Sequence, residues 1–197
     1  IWLQVMAATD KKAYSLCTAE DLSSFGYFQR SSVREHLVFA SRTSAERCPK
    51  GSRVTISLKE VPYILHVYRR VDGLCGIAIT DQAYSERVAQ TLVTKLTAGF
   101  EKQFGNNWKK VAQDEVFNYP QINQLLQEYV NPNQADKMMA VQQNLDEIKQ
   151  IMHKNIEDIL ERGETLDNLL QKSDDIGEVS KMFHSKAKKN NQCCQLY

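Results

Sequence analysis

Cys194 stands fourth from the end of the 197-residue sequence, the C-a-a-X position at which a thiol is prenylated. Cys193 beside it is placed for S-acylation. One lipid gives marginal membrane binding, whereas two give stable anchoring. Lys181, Lys186, Lys188 and Lys189 precede the pair, with no acidic residue after Glu178, and such a basic run suits an anionic membrane face. Tyr197 and the polar Gln195 depart from the usual end of the motif and leave farnesyl and geranylgeranyl both open. A metal site would need more ligands than the nearby His184, so no metal is expected. The covalent lipids, prenyl on Cys194 and palmitoyl on Cys193, stand where a cofactor would.

The second feature is an arginine inside an apolar repeat. From Met138 onward, spacings of three and four pick out Met138, Val141, Leu145, Ile148, Met152, Asn155, Ile159, Arg162, Leu166, Leu169, Ser173, Ile176, Ser180, Phe183, Ala187 and Asn190. Eleven of these sixteen positions are apolar, enough to predict a left-handed coiled-coil seam. Leu160 and Leu170 broaden the stripe. Arg162 lies mid-seam without breaking the register on either side. A guanidinium there is costly unless its donors are met, and its use is to fix register against polar groups on partner helices. Gly163 and Gly177 each weaken a lone helix by about 1 kcal/mol relative to Ala. The segment is therefore expected to be frayed when alone or folded back on the rest of the chain, and to order against partner helices.

Nothing comparable supports catalysis. There is no G-x-x-x-x-G-K-[ST], no G-x-G-x-x-G and no H-E-x-x-H sequence. His36, His66, His153 and His184 are scattered, and His66 lies in a strand-like run that suits a core or edge residue. Asp146-Glu147 and Glu157-Asp158 read as a solvated helix face. No catalytic residue is assigned, and neither a small-molecule substrate nor nucleic acid is expected at a net charge of +1. The five cysteines form no secreted disulfide framework. Cys17 and Cys75 read as inert core residues, and a reducing, cytosolic setting fits. No apolar run reaches the roughly 18 residues of a membrane-spanning helix.

The elements that must position these features are α and β mixed in the first part of the chain. Strands are predicted at Ile1 to Ala7, Ala13 to Thr18, Arg53 to Leu58, Tyr63 to Tyr68 and Cys75 to Thr80, with a tight turn at Asp72-Gly73. Ser32-Val33-Arg34-Glu35 has the form of a capping box, so a helix is predicted from there to about Arg47. Ser85 to Phe104 and Pro120 to Tyr129 read as amphipathic helices. The order β-β-α-β-β-β-α-α predicts an α+β domain, a five-stranded antiparallel sheet with helices on both faces. Asn131-Pro132-Asn133 is a break, after which one long helix is predicted. The divisions are 1–131, 132–190 and a lipidation tail at 191–197.

The chain resembles the longin-domain R-SNAREs of the synaptobrevin-like family, and among them the lipid-anchored kind without a transmembrane helix. The resemblance rests on Ser23-Ser24-Phe25-Gly26-Tyr27-Phe28-Gln29-Arg30-Ser31-Ser32-Val33, on Asn131-Pro132-Asn133-Gln134-Ala135-Asp136, on Leu160-Glu161-Arg162-Gly163-Glu164-Thr165-Leu166-Asp167 and on Cys193-Cys194. It implies a profilin-like longin domain followed by a SNARE helix that joins three glutamine-type SNARE helices in vesicle docking and membrane fusion. Arg162 would then be the central-layer arginine. The longin domain would bind the SNARE segment and cover the lipid. Phe39 falls at the family's groove position, although a plain core aromatic explains it equally. The resemblance also implies a cytosolic pool and the cytoplasmic face of Golgi, ER-derived, endosomal or vacuole-type membranes. The competing reading is a longin-type trafficking adaptor with a prenyl anchor and a coiled coil that only dimerises. A homodimer would set Arg162 against itself with no acceptor.

Overall fold

Alternation along the first strand sorts its side chains onto two faces. In the computed structural model, which describes residues 1–9, 11–58, 62–130 and 150–182, β1 (Trp2–Ala8) is buried throughout. Leu3, Val5 and Ala7 enter one apolar core, while Trp2, Met6 and Ala8 enter another. A strand with two buried faces belongs in the middle of a covered sheet. β1 pairs antiparallel with β2 (Ala13–Glu20) and β5 (Leu74–Asp81). β4 (Tyr63–Arg69) lies between β5 and β3 (Ser52–Ser57), also antiparallel. α1 (Arg30–Arg47) covers the Trp2 face. α2 (Glu86–Phe104) and α3 (Gln121–Tyr129) cover the Leu3 face.

The sheet has six strands where five were predicted, in the order β2-β1-β5-β4-β3-β6. β6 (Ile151–Asn155) comes from the segment read as continuous helix, and it pairs parallel to β3 with Arg53 opposite Ile151 and Ser57 opposite Asn155. An edge strand offers a row of free backbone groups, and β6 satisfies those of β3. The opposite edge is covered too. Phe117 donates to the Leu16 carbonyl at 2.8 Å and Glu115 to that of Ser15 at 3.0 Å.

Two further details fix α1 and the hairpin. Arg69 is buried, and it donates to the carbonyls of Glu46 at 3.0 Å, Cys48 at 2.6 Å and Thr9 at 2.7 Å. Helix C-termini leave such carbonyls without intrahelical partners, so Arg69 pins the end of α1 to the β1–β2 turn. The predicted Asp72-Gly73 turn is present, with Gly73 at φ 96° and the Ala8 carbonyl oxygen 2.7 Å from where a Cβ would lie.

The capping box is a correction. α1 opens at Arg30, after a 3-10 turn at Tyr27–Gln29, with no side-chain cap. The 3-10 turn leads straight into the helix, so Ser32 already lies inside it. The single long helix after residue 132 is corrected where it is described. Beyond β6 the chain makes a 3-10 turn at Ile156–Ile159, a short helix α4 (Leu166–Lys172), and helix again at 178–182. Seam positions Met138, Val141, Leu145, Ile148, Phe183 and Ala187, together with Cys193 and Cys194, lie outside the described residues.

Candidate docking face on the first helix

α1 presents a second face away from the sheet. Glu35, Phe39 and Arg42 follow spacings of four and three, which places them on one side of a helix, and Arg47 lies near its end. The segment after β6 runs antiparallel along this side. Near the C-terminal end of α1, Arg47 meets Glu164 at 2.7 Å. In the middle, Arg42 holds Asp175 through Nε at 2.7 Å and Nη2 at 3.0 Å. Phe39, 6% exposed, forms an apolar cluster with Leu170 and Ile176. Toward the N-terminal end, Glu35 accepts the backbone N–H of Gly177 at 2.9 Å.

β6 and the turn after it complete the contact. Met152 packs on the core between α1 and the sheet, and Ile156 and Ile159 enter that core. Asn155 and Asp158 form a capping box in which the Asn155 N–H donates to Asp158 at 2.8 Å. Asp158 therefore caps a turn, a role the reading as solvated helix face did not include. His153 Nε2 lies 2.8 Å from Glu86 Oε1 at the start of α2. Ser57 donates to Asn155 at 2.6 Å.

The electrostatics favour this arrangement. Arg42 is also shared with Asp114, at 2.8 and 3.1 Å, so one guanidinium joins α1, the covered β2 edge and the C-terminal segment. Burial works against the Arg42 charge, but the hydrogen bonds to Asp114 and Asp175 outweigh it and hold the pKa above its ordinary value. Burial likewise opposes the Asp114 carboxylate, while hydrogen bonds from Arg42 and the Ser15 N–H hold its pKa below the usual range. The Glu164 pKa is lowered, first by the Glu161 N–H and then by Arg47.

The seam positions divide by exposure. Ile159, Ile176 and Ser180 are buried; Met152, Leu166, Leu169 and Ser173 are half-buried; Asn155 and Arg162 are exposed. The fold thus brings Phe39 to Ile176 and leaves Arg162 in solvent. Sequence reasoning missed Glu35, Arg42, Arg47, Glu164 and Asp175. The spacing of Glu35, Arg42 and Arg47 on α1 shows a face, but nothing local says that Glu164 and Asp175 meet it. Ile156, buried outside the seam series, was missed because it breaks the heptad.

The remaining candidates are structural. His66 is buried between Thr55 at 3.5 Å and Thr80 at 3.2 Å, and burial lowers its pKa to about 4. Cys17, Cys48 and Cys75 are buried free thiols. Burial raises Cys17 and Cys48 to about 12 and raises Cys75 as well. Among the described residues, no group of His, Cys, Asp and Glu could hold a metal, and no helix is long and apolar enough to cross a membrane.

A mixed sheet between helices, with a heptad segment laid along its first helix, is a longin-type arrangement. Residues 22–126 match the family described as a regulated-SNARE-like (longin) domain, and residues 137–195 match synaptobrevin. The chain is 43% identical over 193 residues to the synaptobrevin homolog ykt6 of Schizosaccharomyces pombe, covering 98% of this chain and 96% of that one. It is 41% identical over 195 residues to the synaptobrevin homolog YKT6 of Saccharomyces cerevisiae, covering 98% and 96%. It is also 41% identical over 181 residues to the VAMP-like protein YKT61 of Arabidopsis thaliana, covering 92% and 89%. The chain belongs to the longin-domain R-SNAREs of the synaptobrevin family, which act in vesicle trafficking and membrane fusion.

Proposed function

We propose that this R-SNARE stores its own SNARE segment on its longin domain, and releases it to join three glutamine-type SNARE helices with Arg162 in the central layer. The observation that carries the reading is the antiparallel course of Glu164, Asp175, Ile176 and Gly177 along Arg47, Arg42, Phe39 and Glu35. An apolar seam left in water would aggregate or bind membranes without specificity, and the wrap covers Ile159 and Ile176. Arg162, whose donors water can satisfy, stays outside. Cys194 carries the prenyl group and Cys193 the palmitoyl group in this reading, on the cytoplasmic face of transport membranes.

The test is assembly. Mixed with three glutamine-bearing SNARE helices, the full chain is expected to give a heat-resistant four-helix complex. Arg162→Ala is expected to lose register fidelity more than stability, because it leaves partner amides unpaired at about 1–3 kcal/mol per group. Cross-links showing the wild-type register, together with fusion at the wild-type rate, would reject the central-layer role. For the anchor, Cys194→Ser should leave the protein unlipidated in fractionation and Cys193→Ser should leave it exchanging on and off membranes. A Cys194→Ser protein still firmly membrane-bound would reject the order of lipidation.

A further inference from the structure

Among the described residues, the glycines with positive φ are Gly51, Gly73, Gly105 and Gly163, and no other residue type has one. The first three lie in turns of the longin domain. Gly163, at φ 90°, lies in the SNARE segment directly after Arg162. The Glu164 N–H donates to the Glu161 carbonyl at 3.0 Å, closing a four-residue turn with Arg162 and Gly163 at its centre. Positive φ at the third residue of such a turn is the type II signature, and it calls for Gly. The Glu161 N–H is met by the Glu164 side chain at 2.9 Å, and Glu164 in turn is held by Arg47. The turn carries the chain from Ile159, packed beneath α1, to Leu166 and Leu170 on its outer face.

Space is not the reason for glycine here. A Cβ on Gly163 would meet nothing within 4 Å, so the demand is purely one of backbone conformation. In a four-helix complex the same residue must be right-handed helix, where Gly is among the poorest residues. One position therefore opposes the assembled form and permits the stored one.

We infer that Gly163 is the hinge that sets the balance between the stored and assembled forms of the SNARE segment. It favours storage twice, by taking the positive φ that the turn requires and by weakening the helix that competes with it. This rests on the release-and-assembly reading above and deepens it by naming the residue that biases the equilibrium.

Asn and Val separate the two effects. Their helix propensities are nearly equal, but Asn tolerates positive φ and a β-branched residue does not. The experiment is hydrogen exchange on the full chain, read at the amides of Leu169 and Gly177, which donate to Thr165 and Glu35 in the stored form. Gly163→Val is expected to lower their protection by roughly tenfold, the scale of a left-handed residue forced on an L side chain. Gly163→Asn is expected to lose much less. Amides of β1 and β5 report that the longin domain stays folded in each variant. Equal protection in the Val and Asn variants would overturn the hinge. If these amides were unprotected in the wild type as well, the stored form itself would fall, which is a different result.

Discussion

Oε2 of Glu35 accepts a 2.9 Å hydrogen bond from the backbone N–H of Gly177, across 142 residues of sequence. The carboxylate that a capping box would have turned toward its own helix instead holds the far end of the chain. Gly177 precedes the helical residues 178–182, so Glu35 sits where an anion complements a helix N-terminus. Glu35→Ala is expected to loosen this end by about 1 kcal/mol, and Glu35→Gln, which keeps an acceptor, by less. Exchange rates at Gly177 and Lys181 check this. Equal rates in both variants and the wild type would show that the bond contributes nothing.

Arg42 and Asp175 should be energetically coupled. The pair is bidentate and largely shielded, with side-chain exposures of 20% and 15%. A double-mutant cycle of Arg42→Ala and Asp175→Ala is expected to give a coupling of about 1–2 kcal/mol, above an exposed pair and below a fully buried one. Asp114, at 53% side-chain exposure, should couple more weakly to Arg42. Denaturant unfolding at two salt concentrations measures both. A coupling near zero for Asp175 would place the clasp elsewhere.

Phe39→Glu should open the molecule without unfolding the longin domain. Phe39 clusters with Leu170 and Ile176 rather than with either of the two larger cores. A carboxylate in that cluster would be desolvated without a partner, at a cost of several kcal/mol. The expected result is faster exchange from Leu166 to Gly177, unchanged protection in β1 and β5, and faster joining of partner SNARE helices. Loss of β1 and β5 protection would mean that Phe39 supports the longin core instead.

His66 makes stability depend on pH. Burial lowers its pKa to about 4, against roughly 6.5 in an unfolded chain. A lowered pKa means the unfolded state binds the proton first as pH falls. The contribution is full above about pH 6.5, down by about 2 kcal/mol near pH 5, and down by about 3 kcal/mol near pH 4. His66→Gln should flatten this part of the profile in urea titrations compared with the wild type. Parallel profiles would show that His66 is not the group responsible.

The longin elements were legible because their signals are local. Alternation in Arg53 to Leu58, the spacing of Val88, Leu92, Leu96 and Phe100, and the Asp72-Gly73 turn each reflect neighbours in sequence, and the strands and helices fall within two residues of expectation. The heptad register, the lone arginine and the cysteine pair were equally open to inspection, since type and spacing define them.

The form taken by residues 150–182 was not legible, and only the tertiary structure decides it. The sequence carries a heptad seam suited to a helix, but Asn155, Gly163, Thr165 and Gly177 make that helix weak by itself. Two distant features then compete for the segment: the open edge of β3, which needs backbone partners, and the face of α1 bearing Glu35, Phe39, Arg42 and Arg47. Pairing Ile151–Asn155 with β3 and burying Ile156, Ile159, Leu170 and Ile176 satisfies both. The folded-back arrangement is set by those two surfaces. It depends on contacts across more than a hundred residues, which no local pattern records.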